Sequence, residues 1–127
     1  MSKKFLFTIS HSTSSPMEAI GILKIASNMK AYEDDAQIVV FLLGEGVQLA
    51  KKSVASSISM ELEGTTANVG ELMEMAVETG IKFYVCHAFM PGFGVAHGDL
   101  MEGAEAKSSS YLGELLLEGY VPFSLSI

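Results

Sequence analysis

Apolar and polar positions along the chain switch repeatedly between a two-residue and a 3.6-residue period, the signatures of strand and helix. Phe5–Ser10 is a short apolar run of β-favouring residues. A hydroxyl-rich loop, His11–Ser15, follows, and Ser15-Pro16-Met17-Glu18 then predicts a helix start: a serine N-cap, proline at the first position and glutamate at the third, a capping box. Ala19, Ile22, Leu23, Ala26 and Met29 repeat at helical spacing, and Tyr32–Asp35 closes the helix in charge. Ala36–Leu43 reads as a second strand, continuously apolar from Ile38 as a strand covered on both faces should be. Gly44-Glu45-Gly46 turns it into a short helix, Val47–Lys52. Ser53–Thr66 carries no clear period and is expected to be loop with one turn of helix. Asn68-Val69-Gly70-Glu71 is a second capping box, and Val69, Leu72, Met73, Ala76 and Val77 form the apolar stripe behind it. Gly80 stops that helix, and Ile81–Cys86 is the third strand. Ala88–Gly103, with its glycines and proline, reads as loop with a short helix around Phe89–Phe93. A helix over Ser108–Leu117, with Tyr111, Leu112, Leu115 and Leu116 on one face, and a strand over Tyr120–Leu125 complete the pattern.

Alternating strands and helices in 127 residues predict one α/β domain over 1–127, built as a parallel sheet with helices on both faces. Ligands of such sheets bind beyond the carboxyl ends of the strands. Three segments should therefore share one edge: Ser10–Ser15, Gly44–Gly46 and Cys86–Gly94.

Charge narrows the partners. Eight basic against fifteen acidic residues give a net charge of −7, and every basic residue is lysine. Nucleic acid and anionic membrane surfaces call for a cationic stripe, so neither is expected as a partner. The apolar runs, of which Ile38–Leu43 is among the longest, fall far short of the roughly 20 residues of a membrane-spanning helix. After the basic Met1-Ser2-Lys3-Lys4, Phe5–Ile9 is too short for a signal peptide's apolar region. A cytoplasmic protein is expected, and the single cysteine agrees with a reducing compartment.

That cysteine, Cys86, is the first candidate for chemistry. It ends a predicted strand, and free N–H groups of a following helical turn would point back at its sulfur and favour a thiolate. The competing account is a small buried hydrophobe. His87 follows it and His11 leaves the same sheet edge; either can shuttle a thiol proton, or be a solvated loop histidine. His97 reads as a loop residue. Ser10, His11, Ser12, Thr13, Ser14 and Ser15 precede a helix N-terminus and make an anion-binding loop, with ordinary turn and cap chemistry as the plainer account. Gly44-Glu45-Gly46 adds a carboxylate at that edge or a simple strand-to-helix turn. Cys86, His87, His97 and Asp99 lack ordinary metal-ligand spacing, so no metal is expected. The glycines of a nucleotide fingerprint are missing too, and no cofactor is expected. The eight methionines fall mostly on helix faces, as core packing requires.

These stretches resemble the DsrE/DsrF-like family of small sulfur-relay proteins. The likeness is carried by Lys4–Ser10 leading through a polar loop to Met17–Met29, and by Val39-Val40-Phe41-Leu42-Leu43-Gly44-Glu45-Gly46-Val47. Its most specific part is Glu71–Val95, where a helix, Gly80 and a strand lead to Cys86, then Met90 and Gly94-Val95. The resemblance implies a three-layer α/β/α sandwich with a mostly parallel five-stranded sheet, and a homo-oligomer, often trimer or hexamer. It implies that Cys86 matches a sulfur-carrying cysteine, accepting a persulfide or thiosulfonate from a donor protein and passing it to an acceptor thiol. Two other classes stay open: a module binding small anions at Ser10–Ser15, and an oligomeric regulatory subunit whose cysteine is inert. His87 and Phe93 match no family role, and the glycine-rich Ala88–Gly103 departs from the regular strand expected near there.

Overall fold

The computed structural model describes residues 3–125; Met1-Ser2 and the last two residues lie outside it. Its elements run β1 (Lys4–Ile9), α1 (Pro16–Tyr32), β2 (Gln37–Leu42), α2 (Lys52–Ala55), β3 (Ser59–Leu62), β4 (Thr65–Asn68), α3 (Val69–Glu78), β5 (Lys82–Cys86), β6 (Ala104–Lys107), α4 (Ser109–Leu117) and β7 (Val121–Phe123). The main sheet has five strands in the order β6-β5-β2-β1-β7, and every pairing in it is parallel. This is the α/β sandwich the pattern predicts.

Handedness decides which helix covers which face. The connections β1-α1-β2 and β2-α3-β5 step the same way across the sheet, so right-handed crossovers put α1 and α3 side by side on one face. The β6-α4-β7 connection steps back past them and places α4 on the other face. Tyr111 of α4 meets Tyr84 of β5 edge-to-face there, with ring centroids 5.1 Å apart. Sequestered between the layers, β2 is buried from Ile38 to Leu42, and α1 buries Ala19, Ile20, Ile22, Leu23 and Ala26. Phe7, Phe41 and Phe83 are the largest sealed side chains. Each such ring contributes about 1.5–3 kcal/mol relative to exposure.

Three short strands escape the sequence pattern. The two-stranded antiparallel hairpin β3-β4 begins inside the stretch read as loop, Ser53–Thr66, runs on to Asn68, and is turned by Glu63 (φ 51°) and Gly64 (φ 81°). Both residues take the left-handed conformation that a tight two-residue hairpin turn requires. Between the stretch read as loop, Ala88–Gly103, and the last helix, the unassigned Ala104–Lys107 is β6, which pairs with β5 at the sheet edge, Phe83 opposite Ala104 through Cys86 opposite Lys107. The predicted Val47–Lys52 helix is replaced by a 3-10 stretch over Gly44–Ala50, followed by the single turn α2. Short 3-10 turns at His87–Phe89, Pro91–Phe93 and His97–Asp99 replace the helix expected around Phe89–Phe93. Among the described residues no helix is long and apolar enough to cross a membrane.

Candidate functional site

Because the main sheet is wholly parallel, the segments after β1, β2 and β5 leave by one edge. They divide there into two clusters. The first surrounds the loop after β1. Glu18, on the first turn of α1, is 2% exposed. Its Oε1 accepts the backbone N–H of Ser10 (2.9 Å) and of His11 (2.8 Å), and lies 3.3 Å from His11 Nδ1. The predicted capping box is therefore put to another use. Ser15 is the N-cap but makes no side-chain cap bond, and the glutamate reaches back past it to the loop.

Glu45 holds the rest of that loop. Its Oε1 accepts from Ser12 N (2.5 Å), Ser14 N (3.3 Å) and Ser14 Oγ (2.6 Å). These bonds, led by the Ser14 hydroxyl and the Ser12 N–H, hold the Glu45 carboxyl down to about 2. The donors that an external anion would use at Ser10, His11, Ser12 and Ser14 are thus already engaged by the chain's own carboxylates. Thr13 is exposed, and no hydroxyl bond from it to this network is present. Gly44 and Gly46 let the 3-10 stretch pass against β1. A Cβ on Gly46 would run into the Ile9 carbonyl oxygen.

The second cluster begins at Cys86. The thiol is free and wholly buried. Cys86 is the N-cap of the His87–Phe89 turn and makes no side-chain cap bond. That turn is three residues long and carries little dipole. His87 turns outward and packs on His97, with ring centroids 5.3 Å apart. Met90 (2% exposed) and Val95 (5%) anchor the loop in the core, joined by Val95 N–H to the Met90 carbonyl at 2.9 Å. Between them Pro91, Gly92, Phe93 and Gly94 are exposed.

Two side chains of the Gly44–Lys51 segment reach the second cluster, and one of them, Gln48, joins it to the first. Ser12 Oγ donates to Gln48 Oε1 at 2.7 Å, and Gln48 Nε2 donates to the Phe93 carbonyl at 3.4 Å. Lys51 Nζ donates to the Gly94 carbonyl at 3.3 Å and lies 4.0 Å from Asp99. The sequence pattern offers no sign of Gln48, Lys51 or Glu18 as loop anchors, since each partner is distant along the chain. Among the described residues no group of three or more His, Cys, Asp or Glu side chains is arranged to hold a metal. Clefts of about 410 and 420 Å³ lie away from this edge, one over Ile81–Tyr84 and Gly103–Glu105, the other between α2, α3 and Met101-Glu102. Neither touches Cys86, His11 or His87.

The DsrE/DsrF-like family model matches residues 3–123. The chain belongs to the DsrE/DsrF-like family. The fold is shared with two solved structures. A protein of unknown function, MTH1491 from Methanobacterium thermoautotrophicum, superposes with a TM-score of 0.75 at 19% identity, covering 96% of this chain and 98% of that one. The ychN protein from E. coli superposes with a TM-score of 0.76 at 15% identity, covering 95% and 99%. At such identities the likeness concerns the fold. No curated protein matches the chain in sequence. Within the family's architecture, the glycine-rich departure in Ala88–Gly103 resolves into the three 3-10 turns, with β6 following at Ala104.

Proposed function

We propose that this DsrE/DsrF-like protein is a sulfur carrier, with Cys86 as the atom that holds the cargo. The observation that carries this reading is the position of Cys86. It is the last residue of β5, at the carboxyl edge where parallel sheets receive ligands, and it opens directly into a loop. The loop that follows it is held lightly. Apart from its two apolar anchors, it is tied to the Gly44–Lys51 segment by bonds of 3.3 and 3.4 Å from Lys51 and Gln48. A sealed sulfur cannot exchange, so loading requires the Met90–Val95 strap to lift.

The chemistry is a two-electron exchange between sulfurs. The Cys86 thiolate attacks the outer sulfur of a donor persulfide. The Sγ–S bond forms, the donor S–S bond breaks, and the donor thiolate leaves with the electron pair. An acceptor thiolate then repeats the step on the outer sulfur held by Cys86, so the carrier undergoes no net oxidation. The donor and acceptor are proteins bearing reactive thiols. A homo-oligomer fits the same picture. Leu116 and Leu117 on α4, and Val121 and Phe123 on β7, are exposed apolar side chains at that end of the chain.

The decisive experiment is an intact-mass spectrum after exposure to polysulfide or tetrathionate. A gain of sulfane sulfur or of a thiosulfonate group is expected on the wild-type chain and none on Cys86→Ser. A native protein that gains nothing leaves Cys86 as packing and rejects the carrier. Sedimentation is expected to give at least twice the 13.6 kDa chain mass; a monomer removes the oligomer.

A further inference from the structure

The strand that the sequence pattern hides brings a cation to Cys86. In the β5–β6 register Cys86 stands opposite Lys107. Residues in register on neighbouring strands present their side chains on the same face, across a gap of about 4.8 Å. Tyr84, two residues before Cys86, shares that face. Lys107 Nζ sits 5.7 Å from the Tyr84 ring centroid and 4.6 Å from that of Tyr111 on α4. It also lies 3.3 Å from Glu105 Oε1, and its side chain is 30% exposed.

We propose that Lys107 is the counter-cation of the Cys86 sulfur. While the thiol is neutral, the ammonium rests over Tyr84 and Tyr111. When the sulfur becomes a thiolate or carries a perthiolate, the ammonium swings on its flexible four-carbon stem to pair with it. An anion in a wholly buried position is costly without a partner charge. Of the charged and titratable groups around this sulfur, His87 and His97 turn outward onto each other. Lys51 is engaged with Gly94 and Asp99, and Glu45 with Ser12 and Ser14. Tyr84, Tyr111 and Glu105 bring no positive charge. The register leaves Lys107 as the cation beside the sulfur, held by two rings and an exposed carboxylate that it can leave. No bond to Lys107 forms: once the strap lifts, the thiol proton passes to water, and the ammonium neutralises the charge left behind.

This inference rests on Cys86 as the reacting atom, and its test does not depend on sulfur transfer. The rate of Cys86 alkylation by iodoacetamide and the ultraviolet absorbance of its thiolate are followed against pH in the full chain. Lys107→Met is expected to slow alkylation at neutral pH about tenfold, the scale of one opposite charge beside a titrating group, and to move the appearance of thiolate to higher pH. Lys107→Arg should restore most of the rate. Tyr111→Leu removes the nearer ring and should speed alkylation, a gain that vanishes in the Lys107→Met/Tyr111→Leu double variant. A Lys107→Met profile superimposable on wild type overturns the proposal, as does a Lys107→Arg variant as slow as Lys107→Met. If Lys107→Met does not fold, Tyr111→Leu decides, and a rate equal to or below wild type overturns the proposal. Alkylation that depends on Lys107 in a chain gaining no sulfur from polysulfide rejects the carrier reading alone. Sulfur loading indifferent to Lys107 rejects this inference alone.

Discussion

Two loops leave the same edge of one sheet and are built in opposite ways. The loop after β1 is fixed by carboxylates: Glu18 and Glu45 between them accept four backbone N–H groups and a hydroxyl from Ser10, His11, Ser12 and Ser14. The loop after β5 has Met90 and Val95 as apolar anchors, short 3-10 turns, and long bonds from Gln48 and Lys51. The β1 loop has the residue pattern of an anion site and is a finished internal structure. The β5 loop follows the chain's sole thiol and is held by fewer polar bonds. Donors already satisfied from within have little left for a ligand, whereas a segment with few fixed contacts can move.

The contrast between the loops should break most sharply at Glu18. Glu18→Ala strips two backbone N–H groups of their acceptor and should cost about 2–4 kcal/mol in urea unfolding. Glu18→Gln, which keeps an acceptor oxygen, should cost clearly less. Equal losses would mean that the volume of the side chain matters and its bonds do not. Gly46→Ala comes next. Its Cβ would meet the backbone of Ile9 rather than a side chain that can yield, so about 1–3 kcal/mol of destabilisation is expected by the same measurement. An unchanged midpoint would show that the Gly44–Ala50 stretch can shift freely.

The β5 loop should respond the other way. Lys51→Ala, which removes one tether and leaves the Ser12–Gln48 bond intact, should cost under about 1 kcal/mol, yet raise the alkylation rate of Cys86 several-fold by freeing the strap. A large stability loss with no gain in alkylation would contradict the light tethering. The smallest effect is a dependence on acid. Glu45 is held to about 2 against an ordinary value of 4.5. Its folded form is the more acidic, so its contribution is fully present above pH 4.5 and is lost as pH falls towards 2. Amide exchange in Ser12–Ser14 should rise across that window, and Glu45→Gln should flatten the dependence. An identical profile in Glu45→Gln would assign the acid response to other carboxylates.

The main architecture is legible in the residues because its signals are local. The apolar run from Ile38, the stripe through Val69, Met73 and Ala76, and the Asn68 cap, which accepts from Glu71 N–H at 3.1 Å, depend on neighbours in sequence. The hidden elements depend on partners far along the chain. Ala104-Glu105-Ala106-Lys107 has weak β-propensity and is a strand because β5 offers it an edge. Glu63-Gly64 turns a hairpin without the asparagine or aspartate that usually announces one. The same division applies to the site. Cys86 at a strand end could be read directly. The use of Glu18 as a loop pin, the tethers from Gln48 and Lys51, and the place of Lys107 beside Cys86 all follow from tertiary packing. His11 and His87, which share one predicted edge, take up separate surroundings, His11 beside Glu18 and His87 beside His97.

At the far margin of the sheet, β7 is three residues long and its middle residue is Pro122, opposite Leu6 of β1. A proline carries no amide hydrogen to donate. A neighbouring copy that tried to continue the sheet as a ribbon would find a rung missing from a ladder of three. This border therefore resists the backbone zippering that grows into fibres.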